Sequence, residues 1–176
     1  MDDRTPAVRL EPWSERDAAL LRALNAPELM EHLGGPETEE QLVRRHRRYV
    51  ELSARPVSAG RMYRIVLLPE GVAAGSIGFW ERDRESEGEA VYETGWTVLP
   101  AFQGRGVATA ATLAVLAEAR AAGLHRHLHA FPSVDNAASN AVCRRAGFEL
   151  LGARDFEYPP GRAMRCNDWR FDLRRP

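Results

Sequence analysis

The 176-residue chain contains no lysine; all 24 of its basic residues are arginine. That removes the P-loop class of nucleotide-binding proteins, whose phosphate loop needs a Lys after its second Gly. Net charge is scarce too, −1 at pH 7 with 28% charged residues, so nothing draws the chain to nucleic acid or to an acidic membrane face. Neither is an expected partner. Cysteine is limited to Cys143 and Cys166, too few for a disulfide framework. The opening Met1-Asp2-Asp3-Arg4 lacks the basic-then-apolar layout of a signal peptide, and the longest apolar-looking run, Val107 to Ala117, is Ala-rich and far short of a membrane span. A cytoplasmic location is expected. No repeat, low-complexity tract or linker divides the sequence, and its length suits one domain over residues 1–176.

What is present centres on Thr97 to Thr109, T-V-L-P-A-F-Q-G-R-G-V-A-T. The β-branched and aromatic run Val91, Tyr92, Thr94, Trp96, Thr97, Val98 predicts a strand that stops at Pro100, which cannot donate to a ladder. From Val107 the residues suit a helix up to Ala122, and Gly123 supplies the usual residue just past a helix end. Between them, Gly104 and Gly106 let the backbone approach a ligand, and the first N–H groups of the helix point outward. Such a turn binds anions. It matches the dinucleotide fingerprint poorly, because Thr109 stands where the third Gly belongs.

Taken in order, a strand is expected around Val8 to Leu10. Ser14-x-x-Asp17 then caps a helix bearing Ala18, Leu21 and Leu24 and ending near Pro27, and Leu29 to Leu33 forms a turn closed by Gly34-Gly35-Pro36. Thr38-x-x-Gln41 is a second capping box. Behind it Leu42, Val43, His46, Tyr49 and Val50 keep helical spacing, with Arg44, Arg45, Arg47 and Arg48 on the opposite face, which reads as solvated or, more sharply, as an electrostatic guide for phosphates or an acidic acceptor. Arg61 to Leu68 and Val72 to Trp80 make a hairpin across Pro69-Glu70-Gly71, where Gly75 and Gly78 mark bulges or close approach. Asp83 to Glu89 is a loop. His125 to Phe131 is a further strand, on which His125, His127 and His129 share one face. A helix over Asn136 to Ala146 and a closing hairpin, Phe148 to Phe156 and Met164 to Leu173, complete a mixed sheet covered by helices.

Two motifs carry a family resemblance. Q-x-x-G-x-A at Gln103 to Ala108, preceded by Val98-Leu99-Pro100, resembles the pyrophosphate loop of the GNAT superfamily of acyl-CoA-dependent N-acyltransferases. D-N-A-A-S-N-A-V-C-R-R-A-G-F, Asp135 to Phe148, resembles the N-x-x-S…G-F helix of the same superfamily, particularly its RimJ/RimL-like branch, whose members acetylate protein N-termini. The close likeness covers roughly Ala90 to Gly152. It implies an α/β fold with a mostly antiparallel sheet of six to seven strands, helices on both faces and splayed central strands. It also implies acetyl-CoA as cosubstrate, no metal, a small-molecule amine or protein N-terminus as acceptor, and a monomer or homodimer.

The resemblance gives residues roles. The main chain of Val98 is expected to hold the pantetheine arm, Gln103, Gly104, Arg105, Gly106, Val107, Ala108 and Thr109 the pyrophosphate, and Asn136 the cofactor from the last helix. Asn136 also reads as a simple N-cap. Amine acetylation needs a neutral amine, a polarised thioester carbonyl and a proton for the departing thiolate. Glu93 is the first candidate base, its Cα about 17 Å up the strand from Val98 at ~3.3 Å per residue; a strand-surface carboxylate paired with an Arg is the plainer role. His32, beside Leu33-Gly34-Gly35, is the second. A His-face metal site would need further ligands. Many GNAT enzymes protonate the thiolate with a Tyr five positions before the Phe of the G-F pair, where this chain has Cys143. Ser139, one turn earlier, matches the Ser that the RimJ/RimL-like branch presents instead. Asn136, Ser139 and Cys143 recur at i, i+3 and i+7 and are expected on one stripe, with Ala138 and Val142 on a neighbouring core stripe. The rival from another class is a non-catalytic acyl-CoA-binding sensor or structural module.

Overall fold

Both expected capping boxes form. Asp17 Oδ2 accepts from the Ser14 N–H at 2.8 Å, and Thr38 exchanges two such bonds with Gln41. In the computed structural model, which describes residues 5–82 and 89–174, they lead into α1 (Ala18–Ala23) and α3 (Glu39–Ala54), with the short α2 (Pro27–Met30) between. Met1-Asp2-Asp3-Arg4 and the expected loop from Asp83, up to Gly88, lie outside the described residues. One face of α3 differs from expectation. Arg45 is buried, its Nη2 2.6 Å from Glu37 Oε2, whereas Val43 is 45% exposed. Leu42, Arg45 and Tyr49 share the i, i+3, i+7 row turned to the protein, and Glu37, just before the cap, supplies the charge that lets a guanidinium stay there. Arg44, Arg47 and Arg48 keep the solvated face.

Among the described residues, seven strands follow in order as β1 (Val8–Pro12), β2 (Gly60–Leu67), β3 (Val72–Arg82), β4 (Val91–Val98), β5 (His127–Ala130), β6 (Glu149–Glu157) and β7 (Ala163–Asp172). They form one sheet in the order β1-β2-β3-β4-β5-β7-β6. Every neighbouring pair is antiparallel except β4 with β5. Alternation sorts the side chains. Tyr63, Ile65, Ile77, Phe79, Tyr92 and Leu128 form the larger core with α4 (Val107–Ala122) and α5 (Ala137–Arg145). Met62 turns to the other face and packs with Trp13, Leu21 and Leu42, against which Trp80 also rests. Helices therefore cover both faces. A Cβ at Gly75 would stand 2.2 Å from the Thr97 carbonyl oxygen, so the close approach of β3 to β4 needs glycine there.

The β4–β5 pairing is short, running only through Tyr92↔Leu128, Glu93↔His129 and Thr94↔Ala130. Leu99 N–H turns to β3, 2.8 Å from the Ala74 oxygen, so by alternation the N–H and C=O groups of Val98 and Trp96 turn toward β5, beyond the end of that pairing. The sheet splays there. β5 is also shorter than expected, and His125 lies before it, with Nε2 2.9 Å from Glu81 Oε1 and its ring 4.7 Å from that of Tyr92. Only His127 and His129 share the strand face, because the turn after Gly123 uses residues 124–126.

Candidate active site

Apart from Asn136 on α5, the residues predicted to bind the donor gather at the C-terminal end of β4. Pro100–Phe102 makes a 3-10 turn, and Gly104 (φ 69°) and Gly106 (φ 80°) are both left-handed. Gly106 is the N-cap of α4 and has no side chain to satisfy the amides that follow it. Ala110 donates to the Gly106 oxygen at 3.0 Å, so the N–H groups of Val107, Ala108 and Thr109 precede the first intrahelical bond and, among the described residues, are open at the dipole's positive end. Arg105 is exposed with its guanidinium 5.9 Å from the Phe102 ring centroid. Gln103 Nε2 donates to the Val98 oxygen at 2.9 Å. That bond ties the loop to the strand and engages the Val98 carbonyl, leaving its N–H directed at the splay.

Around the paired segment, the face opposite α4 is polar. Glu93 Oε2 lies 2.5 Å from Arg82 Nη1, and its side chain is 16% exposed. Burial raises the Glu93 pKa, against the lowering pull of Arg82, Trp80 and His129. The Arg82 guanidinium also lies over Phe131 (4.8 Å) and Phe156 (4.5 Å), whose rings stack at 5.3 Å. A carboxylate so held can accept a proton above the usual carboxylate range. His129 Nδ1 is 2.6 Å from Asp168 Oδ1, both side chains fully buried. His32 is half-buried on the 3-10 turn Glu31–Leu33. The adjoining loop meets the β6–β7 turn, since a Cβ on Gly34 would lie 2.9 Å from Pro159 Cδ.

On α5, Asn136 Oδ1 accepts from the Ser139 N–H at 3.0 Å and caps the helix. Ser139 is half-buried. Cys143 is fully buried in the core, and burial pushes its thiol up to about 12. Ala138 is exposed, while Asn140 takes the inward position. The expected stripe therefore splits: Cys143 points to the core beside Ala146 and Phe148, and Ser139 lies nearer the surface. Asn140 is a residue that sequence reasoning missed. Its Nδ2 donates to the Ser133 and Asn136 oxygens, and its Oδ1 accepts from Asn167 and Trp169 side chains, so it pins α5 to β7. Its place one residue after Ser139 was the available signal. Arg82 and Asp168 were missed for want of any local motif; they come from separate strands.

A groove of about 320 Å³ lies instead at the N-terminal end of β5, lined by Arg126, His127, Glu149, Arg170 and Asp172 among others. Ion pairs Arg126–Asp172 and Arg170–Glu149 span it. It is remote from the open helix end, and its charges already neutralise one another. No cluster of three or more His, Cys, Asp or Glu among the described residues could hold a metal ion. No helix among them is long and apolar enough to cross a membrane.

Comparison with known proteins fits this geometry. No curated protein sequence matches the chain. Among solved structures, a GNAT-family acetyltransferase from Bacillus anthracis superposes with a TM-score of 0.77 at 17% identity, covering 98% of each chain. An acetyltransferase from Salmonella typhimurium that modifies the N-terminal serine of 50S ribosomal subunit protein L7/L12 gives 0.75 at 24% identity over 96% of each. The aminoglycoside acetyltransferase AAC(6')-Ib, solved with coenzyme A, gives 0.73 at 21% identity, covering 94% of this chain and 95% of that one. A family model described as an acetyltransferase (GNAT) domain matches residues 7–149. With this match, a sheet splayed beside an open helix N-terminus has its family: the chain belongs to the GNAT acetyltransferases, whose acyl donor is acetyl-CoA.

Proposed function

We propose that this protein, as one catalytic domain, moves the acetyl group of acetyl-CoA to a primary amine, a protein N-terminus or a small molecule, by direct attack in a ternary complex. The observation that carries the reading is the coincidence, on one strand, of an open splay at Trp96–Val98 and a largely but not fully buried carboxylate at Glu93. The amides of Gly104 to Thr109 would receive the pyrophosphate, and the Val98 N–H the pantetheine arm. The side chains of Gln103 and Asn136 are engaged by main-chain groups of Val98 and Ser139, so these two residues support the site by shaping it.

Glu93 then serves as the base. An ammonium gives it a proton, the free amine attacks the thioester carbonyl carbon, and the thiolate leaves. Ser139 is the group on α5 placed near the surface to hydrogen-bond or relay a proton to that thiolate; Cys143 is not, since a buried thiol with a raised pKa holds its proton tightly. Proximity supplies much of the remaining rate.

Screening amines and N-terminal peptides for release of free CoA tests the reading. Turnover with at least one class is expected, and acetyl-CoA binding with no turnover on any acceptor would favour the non-catalytic sensor. With a working acceptor, Glu93→Gln is expected to lower kcat by about 10² to 10⁴ with acetyl-CoA binding nearly intact. Because burial raises the Glu93 pKa, ionised base is lost as pH falls through that raised value, so the acid limb should lie above the ordinary carboxylate range. A mutant at wild-type rate across pH would move the role to His32 or water.

A further inference from the structure

His129 sits at the middle of the short β4–β5 pairing, fully buried. Its Nδ1 meets Asp168 Oδ1 at 2.6 Å, and Arg154 Nε lies 2.9 Å from the other Asp168 oxygen. A carboxylate beside a guanidinium is an acceptor only, which assigns the proton to Nδ1 and leaves a lone pair on Nε2. That Nε2 is buried and meets no hydrogen-bond partner among the described residues. Buried polar atoms are nearly always satisfied, so an orphan of this kind asks for a role.

Its neighbours suggest one. Glu93 stands directly across the parallel register from His129, on the same face of the sheet. Glu93 keeps 16% of its side chain exposed, while His129 and Asp168 keep none. A substrate therefore reaches Glu93 before either His129 or Asp168. The charged groups facing the imidazole are Glu93 of β4, Arg82 of β3 bound to it, Asp168 and Arg170 of β7, and Arg154 of β6, with His127 on its own strand. Arg170 is paired with Glu149. The rest sum to two carboxylates and two guanidiniums, balanced around the ring.

We propose that His129, oriented by Asp168, is a relay for the proton that Glu93 removes from the acceptor, a proposal that rests on Glu93 being the base. The ammonium loses one proton to the Glu93 carboxylate, and that proton passes to His129 Nε2. The imidazolium is then flanked by two carboxylates, and Glu93 is again ionised. After attack, the second nitrogen proton goes to the departing thiolate, so each turnover makes amide and free CoA thiol, and the proton held on His129 returns through Glu93 to solvent once product has left.

The test is kcat and kcat/KM against pH for wild type, His129→Gln, Asp168→Asn and Glu93→Gln with one working acceptor, with melting and acetyl-CoA binding as controls. His129→Gln is expected to lower kcat on the order of tenfold to a hundredfold, less than loss of the base itself. Its acid limb should simplify from two coupled ionisations to one, and Asp168→Asn should move the same way. A folded His129→Gln with wild-type kcat and profile, beside an impaired Glu93→Gln, overturns the relay alone. A Glu93→Gln at wild-type rate overturns the base assignment beneath it. Should His129→Gln not fold, imidazole nitrogen spectra of the wild-type protein decide: the Nδ1–H tautomer is required, and an Nε2–H tautomer overturns the relay because that nitrogen could not accept.

Discussion

At the scale of single residues, burial separates groups that look alike in sequence. Ser139 and Cys143 both belong to a motif helix, yet one is half-buried near the cap and the other lies in the core with its thiol pushed up to about 12. Ser139→Ala is expected to reduce turnover more than Cys143→Ala. The cost of Cys143→Ala should appear in stability instead, roughly 1–2 kcal/mol for a small void in a packed core. Steady-state rates and thermal melts of the two variants check this, and an inactive Cys143→Ala beside a silent Ser139→Ala would reverse it. The same contrast holds in Arg44 and Arg45, adjacent in sequence, one on the solvated face and one paired to Glu37 inside. Periodicity marks four arginines as polar but does not say that a carboxylate before the cap draws one inward.

At the scale of elements, the loop from Gln103 to Thr109 was legible because its demands are local: two glycines, a helix after them and no lysine. The pair Glu93 and Arg82 was half legible, since a carboxylate on a strand invites an arginine partner, although only the β3–β4 register names which. The His129–Asp168 contact joins residues 39 apart in sequence, and it exists because β7 rather than β6 enters the sheet beside β5. A closing hairpin reads equally well with either strand inside. For the loop, Gly106→Val is expected to weaken acetyl-CoA binding severely. A β-branched residue resists the φ of 80° that sets the helix entry, and its Cβ would press on Pro6 Cδ at 3.2 Å. Binding calorimetry on the folded variant checks it, and unchanged affinity would remove the loop from the donor site.

At the scale of the whole molecule, the seven-stranded sheet divides the work. One face packs on α4 and α5 as core, and the other collects Arg82, Glu93, His129, Asp168 and the two stacked phenylalanines near the splay. The order of elements could be read from capping boxes, glycines and strand periodicity, each of which acts within a few residues, and helices on both faces were implied by the family resemblance. Which charges meet across the sheet could not, because that depends on strand order. The central claim is that acetyl-CoA lies in the β4–β5 splay with its pyrophosphate on the α4 N-terminus. Backbone amide shifts on titrating acetyl-CoA into the protein test it most directly: the largest changes are expected at Gln103 to Thr109 and at Trp96 to Val98. Changes confined to the groove around Arg126, His127 and Arg170 would contradict it.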